Sequence, residues 1–208
     1  MKQNEKKQLS QDKILNAAII EFGTKSYENA SLNNICSDNK ISKGLIYHYF
    51  KNKDELYLCC VKICFDELTR FLDSKKYVFT DFQKDINHYL ALRYRFFHEN
   101  PNYSNIFFNT VLQPPMHLKE QIKEIRKDFD AQGLQYYKNA LKNIVLREDI
   151  TEEEAIGYFF IFQEMFNGYF QSKAYESSDF NSLIEAHEMK LSKFLNIMLY
   201  GMAKERRE

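Results

Sequence analysis

ISKGLIYHYFKNKDEL, from Ile41 to Leu56, decides how the rest of the chain is read. Between Asn39 and Lys53 lie Lys40, Lys43, Lys51 and Lys53, with no Asp or Glu. The whole chain balances 29 basic against 29 acidic residues, so this window is a local departure from neutrality. At about 100° per residue, Ile46 and Phe50 fall on one side of a helix and Gly44 and His48 nearly opposite. Lys43 and Tyr47 take one flank, Leu45 and Tyr49 the other. An apolar stripe anchors such a helix, and its outer side offers an ammonium, bare backbone, an imidazole and phenols.

That outer side suits nucleic acid. Lys and Tyr donate to phosphate oxygens, and Lys also reaches guanine acceptors. Gly44 costs about 1 kcal/mol of helix propensity, but lets the backbone approach a base edge. Leu45 can touch a thymine methyl. Lys53, opening the next helix, can neutralise a phosphate beside free backbone amides.

Working outward, almost every segment reads as helix. Ile14, Leu15, Ala18, Ile19 and Phe22 share a face of a first helix, with Ser10 as its expected cap. Ser31 caps a short second helix with Leu32, Ile35 and Cys36 pointing inward, and Ser42 caps a third. Asn52 and Glu55 form a capping-box pattern that starts a fourth, running to Phe71 or Leu72. Further helices are expected over Asp81–Glu99, from Pro101 to Pro114-Pro115, over Met116–Arg147, from Thr151 to about Tyr175, and over Phe180–Ala203. A short capped helix, a tight turn, a second short helix with an apolar anchor and then a long helix is a helix-turn-helix layout. In it the second short helix enters the major groove. The expected fold class is all-α: an N-terminal three-helix DNA-binding domain, residues 1–53, and a C-terminal helical ligand-binding and dimerisation domain, residues 54–208.

Composition agrees with this division. Residues 1–56 contain five of the 32 Phe and Tyr residues, so the back of the chain is the aromatic part. No apolar run reaches the ~18 residues that span a bilayer, and the start has no apolar stretch after its positive charges. The expected location is the cytoplasm, with no membrane partner. There is no Gly-rich phosphate loop and no H-E-x-x-H, and the five histidines are scattered. The chain is therefore expected to be no enzyme, with no catalytic residues, no metal and no cofactor. Cys36, Cys59, Cys60 and Cys64 read as small buried hydrophobes in a reducing cell. A thiol sensor or soft-metal site at Cys59, Cys60 and Cys64 is the alternative.

The motifs also resemble a family. Ser31, Leu32 and Ile35, in an S-L-x-x-I pattern, followed by I-S-K-G-L-I-Y-H-Y-F-K-N-K-D-E-L, resemble the N-terminal signature of TetR-type transcriptional regulators. The preceding ILNAAIIEFGTKSYENAS is similar to that family's first helix and connector. The resemblance spans about Ser10 to Leu56. It implies a homodimer with a DNA-binding head on a double-stranded, palindromic operator, a divergent ligand-binding body, and repression relieved by a small-molecule inducer. By matching positions it implies phosphate or mixed contacts for Ser31, Ser42, Lys43, Tyr47, His48 and Lys53. Gly44, Leu45 and Tyr49 are implied at or near base edges. Three departures stand out. The turn between the short helices reads Asp38-Asn39-Lys40 where a Gly is usual, with Asn39 expected to take the left-handed backbone. Ser26 replaces a common Gly, and Leu45 stands where Thr is frequent.

In the body, AIGYFFIFQEMFNGYF is apolar nearly all round. Phe159, Phe162, Phe166 and Tyr169 form one stripe; Tyr158, Ile161, Met165 and Phe170 broaden it. Leu191, Phe194, Leu195, Met198 and Met202 repeat the theme. Two such helices per chain can close a symmetric four-helix interface. Tyr94, Phe107, Phe108, Tyr137, Phe162, Met165 and Tyr169 are the candidate lining of a pocket for an apolar or aromatic guest. An anionic guest would call on an arginine such as Arg93, Arg95 or Arg126. Two other functions fit the same head: a ligand-independent DNA-binding dimer with a chromosome-organising or partner-binding role, and a thiol- or metal-responsive repressor.

Overall fold

The computed structural model describes residues 3–174 and 179–202. Among them the helices are α1 (Gln3–Thr24), α2 (Leu32–Asn39), α3 (Lys43–Tyr49), α4 (Lys53–Asp73), α5 (Phe82–Glu99), α6 (Pro101–Leu112), α7 (Lys119–Leu141), α8 (Glu152–Ala174) and α9 (Phe180–Met202). A 3₁₀ turn, Met116–Leu118, precedes α7. Tyr175 and Ala203, expected helix ends, lie outside the described residues.

Local signals set most helix starts. The Ser31 hydroxyl accepts from Asn33 N–H, and the Ser42 hydroxyl from Leu45 N–H. Asn52 Oδ1 accepts from Glu55 N–H at 2.9 Å, while the Glu55 carboxylate reaches back to Lys51 N–H. Thr151 and Glu154 close a reciprocal capping box. These bonds satisfy amides that a helix start leaves without partners.

Three boundaries differ from expectation. Ser10 is not a cap: α1 begins at Gln3, and the Ser10 hydroxyl donates to Lys6 C=O inside the helix. The intervening Glu, Lys, Gln and Leu are good helix formers, so nothing delays the start. The turn after α2 places Lys40, not Asn39, in the left-handed region, at φ 51° and ψ 48°. Asn39 ends the helix, and its amide donates to Ile35 C=O. Finally, α7 stops at Leu141 rather than Arg147. Arg147 N–H instead donates to Met202 C=O, and its guanidinium to Gly201 C=O and Asp149.

The chain divides into two compact units. The first comprises Met1–Leu68, Phe97–Thr110 and Pro114–Lys127. Its core gathers Ile14, Ala18 and Phe22 of α1, Ile35, Ile46 and Phe50, and Leu56, Cys60, Val61, Cys64 and Phe65 of α4. At Gly23 an added Cβ would lie 2.6 Å from Asn102 Cβ and 2.7 Å from its Cα, so α1 and α6 touch backbone to backbone. The Asn105 amide donates to Gly23 C=O at the same contact.

The second unit comprises Thr69–Phe96, Val111–Gln113 and Asp128–Glu208. The Tyr137 ring stacks on Phe159 at 4.0 Å, and its hydroxyl donates to Ala155 C=O. Arg93 is buried and bonded to Glu188, which also meets His187 Nδ1. Arg93 is therefore no surface residue, and its charge is already matched. Burial disfavours the Glu188 carboxylate, yet Arg93 and His187 more than compensate and hold its pKa below the usual value.

Candidate DNA-binding face

Two anchors hold α3 to the first unit. Ile46 is 0 % exposed and Phe50 2 %, as the helical spacing predicts. Lys43, Gly44, Tyr47 and His48 are exposed, and Leu45 and Tyr49 are half-buried. A Cβ at Gly44 would meet nothing within 4 Å, so in the free protein this glycine serves no packing need. Its bare backbone faces open space. Ser42 is exposed at the helix start, and Ser31 is half-buried at the start of α2.

A buried acid fixes the approach of α2. Glu21 of α1 accepts from Ser31 N–H at 2.8 Å, from the Asn34 amide at 3.1 Å and from the Lys25 ammonium at 2.9 Å. Burial pushes the Glu21 carboxyl up, but these three donors outweigh it and leave its pKa lowered. A hint lay in the sequence: Glu21 sits on the apolar face of α1, four residues before Lys25.

Two expected DNA contacts are tied within the protein. Tyr49 donates its hydroxyl to Lys7 C=O at 3.1 Å, and its ring meets His48 edge-on at 4.9 Å. Lys53 is half-buried, with its ammonium 4.3 Å from the centre of the Tyr27 ring. Tyr27 in turn donates to Asp54, which His117 Nε2 approaches at 3.4 Å. Burial lowers the Lys53 pKa, and the Tyr27 bond leads the effects that lower that of Asp54. Sequence spacing gave no sign of the Tyr49–Lys7 and Lys53–Tyr27 pairs, which join residues far apart along the chain.

The candidate pocket residues are not gathered by any one feature. Phe107 and Phe108 are buried in the first unit, packed against Phe97. In the second unit Tyr137 is core, Phe162 is half-buried beside Phe166, and Tyr94, Met165 and Tyr169 are exposed. Phe159, Phe166 and Phe170 form the inward stripe of α8. Tyr158, Ile161, Met165 and Tyr169 form its outward one, and Phe194, Ile197 and Tyr200 of α9 are likewise exposed. Thus Phe162 and Tyr169 depart from the stripe they were expected to share with Phe159 and Phe166.

All four cysteines are free. Burial pushes the Cys59, Cys60 and Cys64 thiols up, which disfavours the reactive thiolate. Among the described residues no helix is long and apolar enough to cross a membrane.

Comparison with known proteins agrees with this geometry. The profile of "Bacterial regulatory proteins, tetR family" matches residues 14–60, from α1 into α4. Over 148 residues the chain is 27% identical to the Staphylococcus aureus biofilm operon icaADBC HTH-type negative transcriptional regulator IcaR, covering 65% of this chain and 77% of that one. A TetR family transcriptional regulator from Chloroflexus aurantiacus shares the fold over 95% of both chains, with a TM-score of 0.60 at 19% identity. So does FadR of Bacillus subtilis, solved in complex with stearoyl-CoA, over 88% of this chain and 97% of that one, with a TM-score of 0.53 at 16% identity. The profile falls on the helices that carry the acid-free face, and the fold of TetR family regulators extends along nearly the whole chain: the protein is similar to TetR-type transcriptional regulators in its N-terminal helices and in its fold.

Proposed function

We propose that the chain is a cytoplasmic repressor that binds a palindromic duplex operator as a homodimer. The observation that carries this is α3, with Ile46 and Phe50 sealed in the core and Lys43, Gly44, Tyr47 and His48 outside without an acid among them. In this reading residues 1–53 are the head and 54–208 the body. Lys43, Tyr47, His48, Ser31, Ser42 and Lys53 contact phosphates, and Gly44 and Leu45 approach bases. Tyr49 lies beside them with its hydroxyl already committed to Lys7. Repression as the sign of control draws on IcaR, described as a negative regulator.

The dimer arm rests on α8 and α9. Ile161 is 55% exposed, Met165 70%, Ile197 67% and Tyr200 75%. Two helices bearing such apolar outer faces suit a symmetric four-helix seam, because contiguous patches of this kind are rare on monomers. Pairing also supplies two recognition helices, which a palindrome requires.

The inducer arm follows from the aromatic second unit and from FadR, a protein of the same fold solved with stearoyl-CoA. An apolar guest would enter among rings such as Tyr137 and Phe162. It would act by favouring a state in which α4, with Lys53 at its start, no longer holds the heads at operator spacing. The close stacking of Tyr137 on Phe159 favours a second reading, a DNA-binding dimer without an inducer.

Selection of bound duplexes from a random pool tests the main reading. A palindromic consensus, lost on Lys43→Ala, is the expected outcome; no enrichment at low salt refutes it. A thermal-shift screen with acyl-CoAs and aromatic acids separates the two ligand readings. Stabilisation together with weakened duplex binding supports an inducer, and no shift supports the inducer-free dimer.

A further inference from the structure

Helix α1 starts about two turns earlier than its apolar pattern requires, and those turns have no core to cover. They are nevertheless attached, since Lys7 C=O accepts the Tyr49 hydroxyl across 42 residues of sequence. Tyr49 is the last residue of α3, so the bond joins the first turns of α1 to the end of the recognition helix.

The charges on these turns are sorted by side. At about 100° per residue, Lys7 continues the line of Ile14 and Ala18, the stripe buried further along α1. Where the stripe runs past the core it becomes an exposed lysine. Lys6 and Lys13 share the next line. Glu5 and Asp12 share a line about 150° away from Lys7, and Asp12 already accepts from the Gln8 amide. The side bearing Lys7 therefore continues the acid-free character of α3 without an intervening carboxylate of its own.

We propose that the first two turns of α1 are a second DNA-contacting element, in which Lys6 and Lys7 engage phosphates flanking the groove entered by α3. Tyr49 is then a positioning residue, which fixes this arm against α3 rather than reading a base itself. The partner is the duplex backbone: ammonium groups beside a recognition helix find phosphates and no sequence information. The inference rests on the proposed role of α3.

The test uses the full chain and a duplex that the wild-type protein has enriched from a random pool. Binding is followed by fluorescence anisotropy between 50 and 200 mM NaCl. Two phosphate contacts contribute a slope of about 1.8 in log affinity against log salt. The wild type should therefore lose about tenfold more affinity across that range than K6A/K7A. The enriched sequence should stay preferred. Y49F should weaken binding severalfold in the wild type and have no effect in the K6A/K7A background, because arm and brace then act as one unit. Circular dichroism melts control for folding, and K6Q/K7Q is a second variant that retains polar side chains.

Unchanged affinity and slope in folded K6A/K7A and K6Q/K7Q overturn the arm, while wild-type binding keeps the α3 reading intact. A Y49F effect that persists in full without the lysines overturns the brace, and places the hydroxyl on DNA. Failure of the wild type to bind any duplex would instead remove the α3 reading on which the arm depends.

Discussion

The ammonium of Lys53 lies 4.3 Å above the centre of the Tyr27 ring. This pair joins the first residue of α4 to the connector between α1 and α2, and it holds a cation at the start of α4 at reduced conformational freedom. Tyr27 is itself held by Asp54, the neighbour of Lys53, so two side chains fix one charge. In the proposed role of Lys53 as a phosphate contact, such preorganisation lowers the entropy lost on binding.

Variants separate the ring from its hydroxyl. Lys53→Ala should reduce the slope of log affinity against log salt by about one. Tyr27→Phe keeps the ring but loses the Asp54 bond. It should hold duplex affinity within about twofold while costing about 1 kcal/mol of stability. Tyr27→Leu should lose both. Anisotropy titrations and thermal melts read the two effects independently.

Lys40 carries backbone strain that no side chain demands. Its left-handed conformation costs a non-glycine residue about 1–2 kcal/mol. Lys40→Gly should recover about 1 kcal/mol, less the extra freedom that glycine brings to the unfolded chain. The midpoint of thermal unfolding should rise by a few degrees. A fall would mean that the lysine stem contributes packing.

Glu21 makes stability depend on acid. Its pKa is lowered below the ordinary 4.5 in the folded protein. The unfolded state therefore binds the proton more tightly, and the stabilisation is fully present above pH 4.5. It is lost as pH falls through the lower folded value. Glu21→Gln should cost about 1.5–3 kcal/mol at neutral pH, and flatten the fall of stability below that point. Urea denaturation at a series of pH values measures both. An unaltered acid limb in the variant would show that other carboxylates dominate.

The outward stripes of α8 and α9 predict assembly. Met165→Glu with Ile197→Lys should leave each chain folded, because both residues are exposed, yet shift the protein to a monomer in sedimentation velocity. Operator affinity should fall with it, since one head then reads one half-site. A wild type that sediments as a monomer at micromolar concentration would sink the four-helix seam.

How much could be read in advance follows the range of each interaction. Ser31, Ser42, Asn52 and Thr151 mark helix starts because a cap acts within three residues. The buried pair Ile46 and Phe50, and with it the exposed side of α3, follows from helical period alone. The end of α7 does not, because Arg147 N–H spends its bond on Met202 C=O, far along the chain. The ties of Tyr49 to Lys7 and of Lys53 to Tyr27 were not legible, since nothing near either residue in sequence announces its partner. The pocket set was the least legible. Aromatic residues such as Tyr137, Phe107 and Phe108 have the same composition whether they line a cavity or fill a core, and only their packing distinguishes the two. The turn at Lys40 was missed by one position: Asn39 still closes α2, its amide donating to Ile35 C=O, and the left-handed backbone falls on the next residue.

Gly23 leaves no clearance between α1 and α6: even a methyl group there would collide with the Asn102 main chain. A joint without slack transmits displacement rather than absorbing it. Whatever slides α6 along its axis must drag the end of α1 with it, as one cog turns its neighbour, and the Asn105–Gly23 bond is the tooth. If α3 reads DNA as proposed, any displacement of α6 reaches the helices that carry it through this joint.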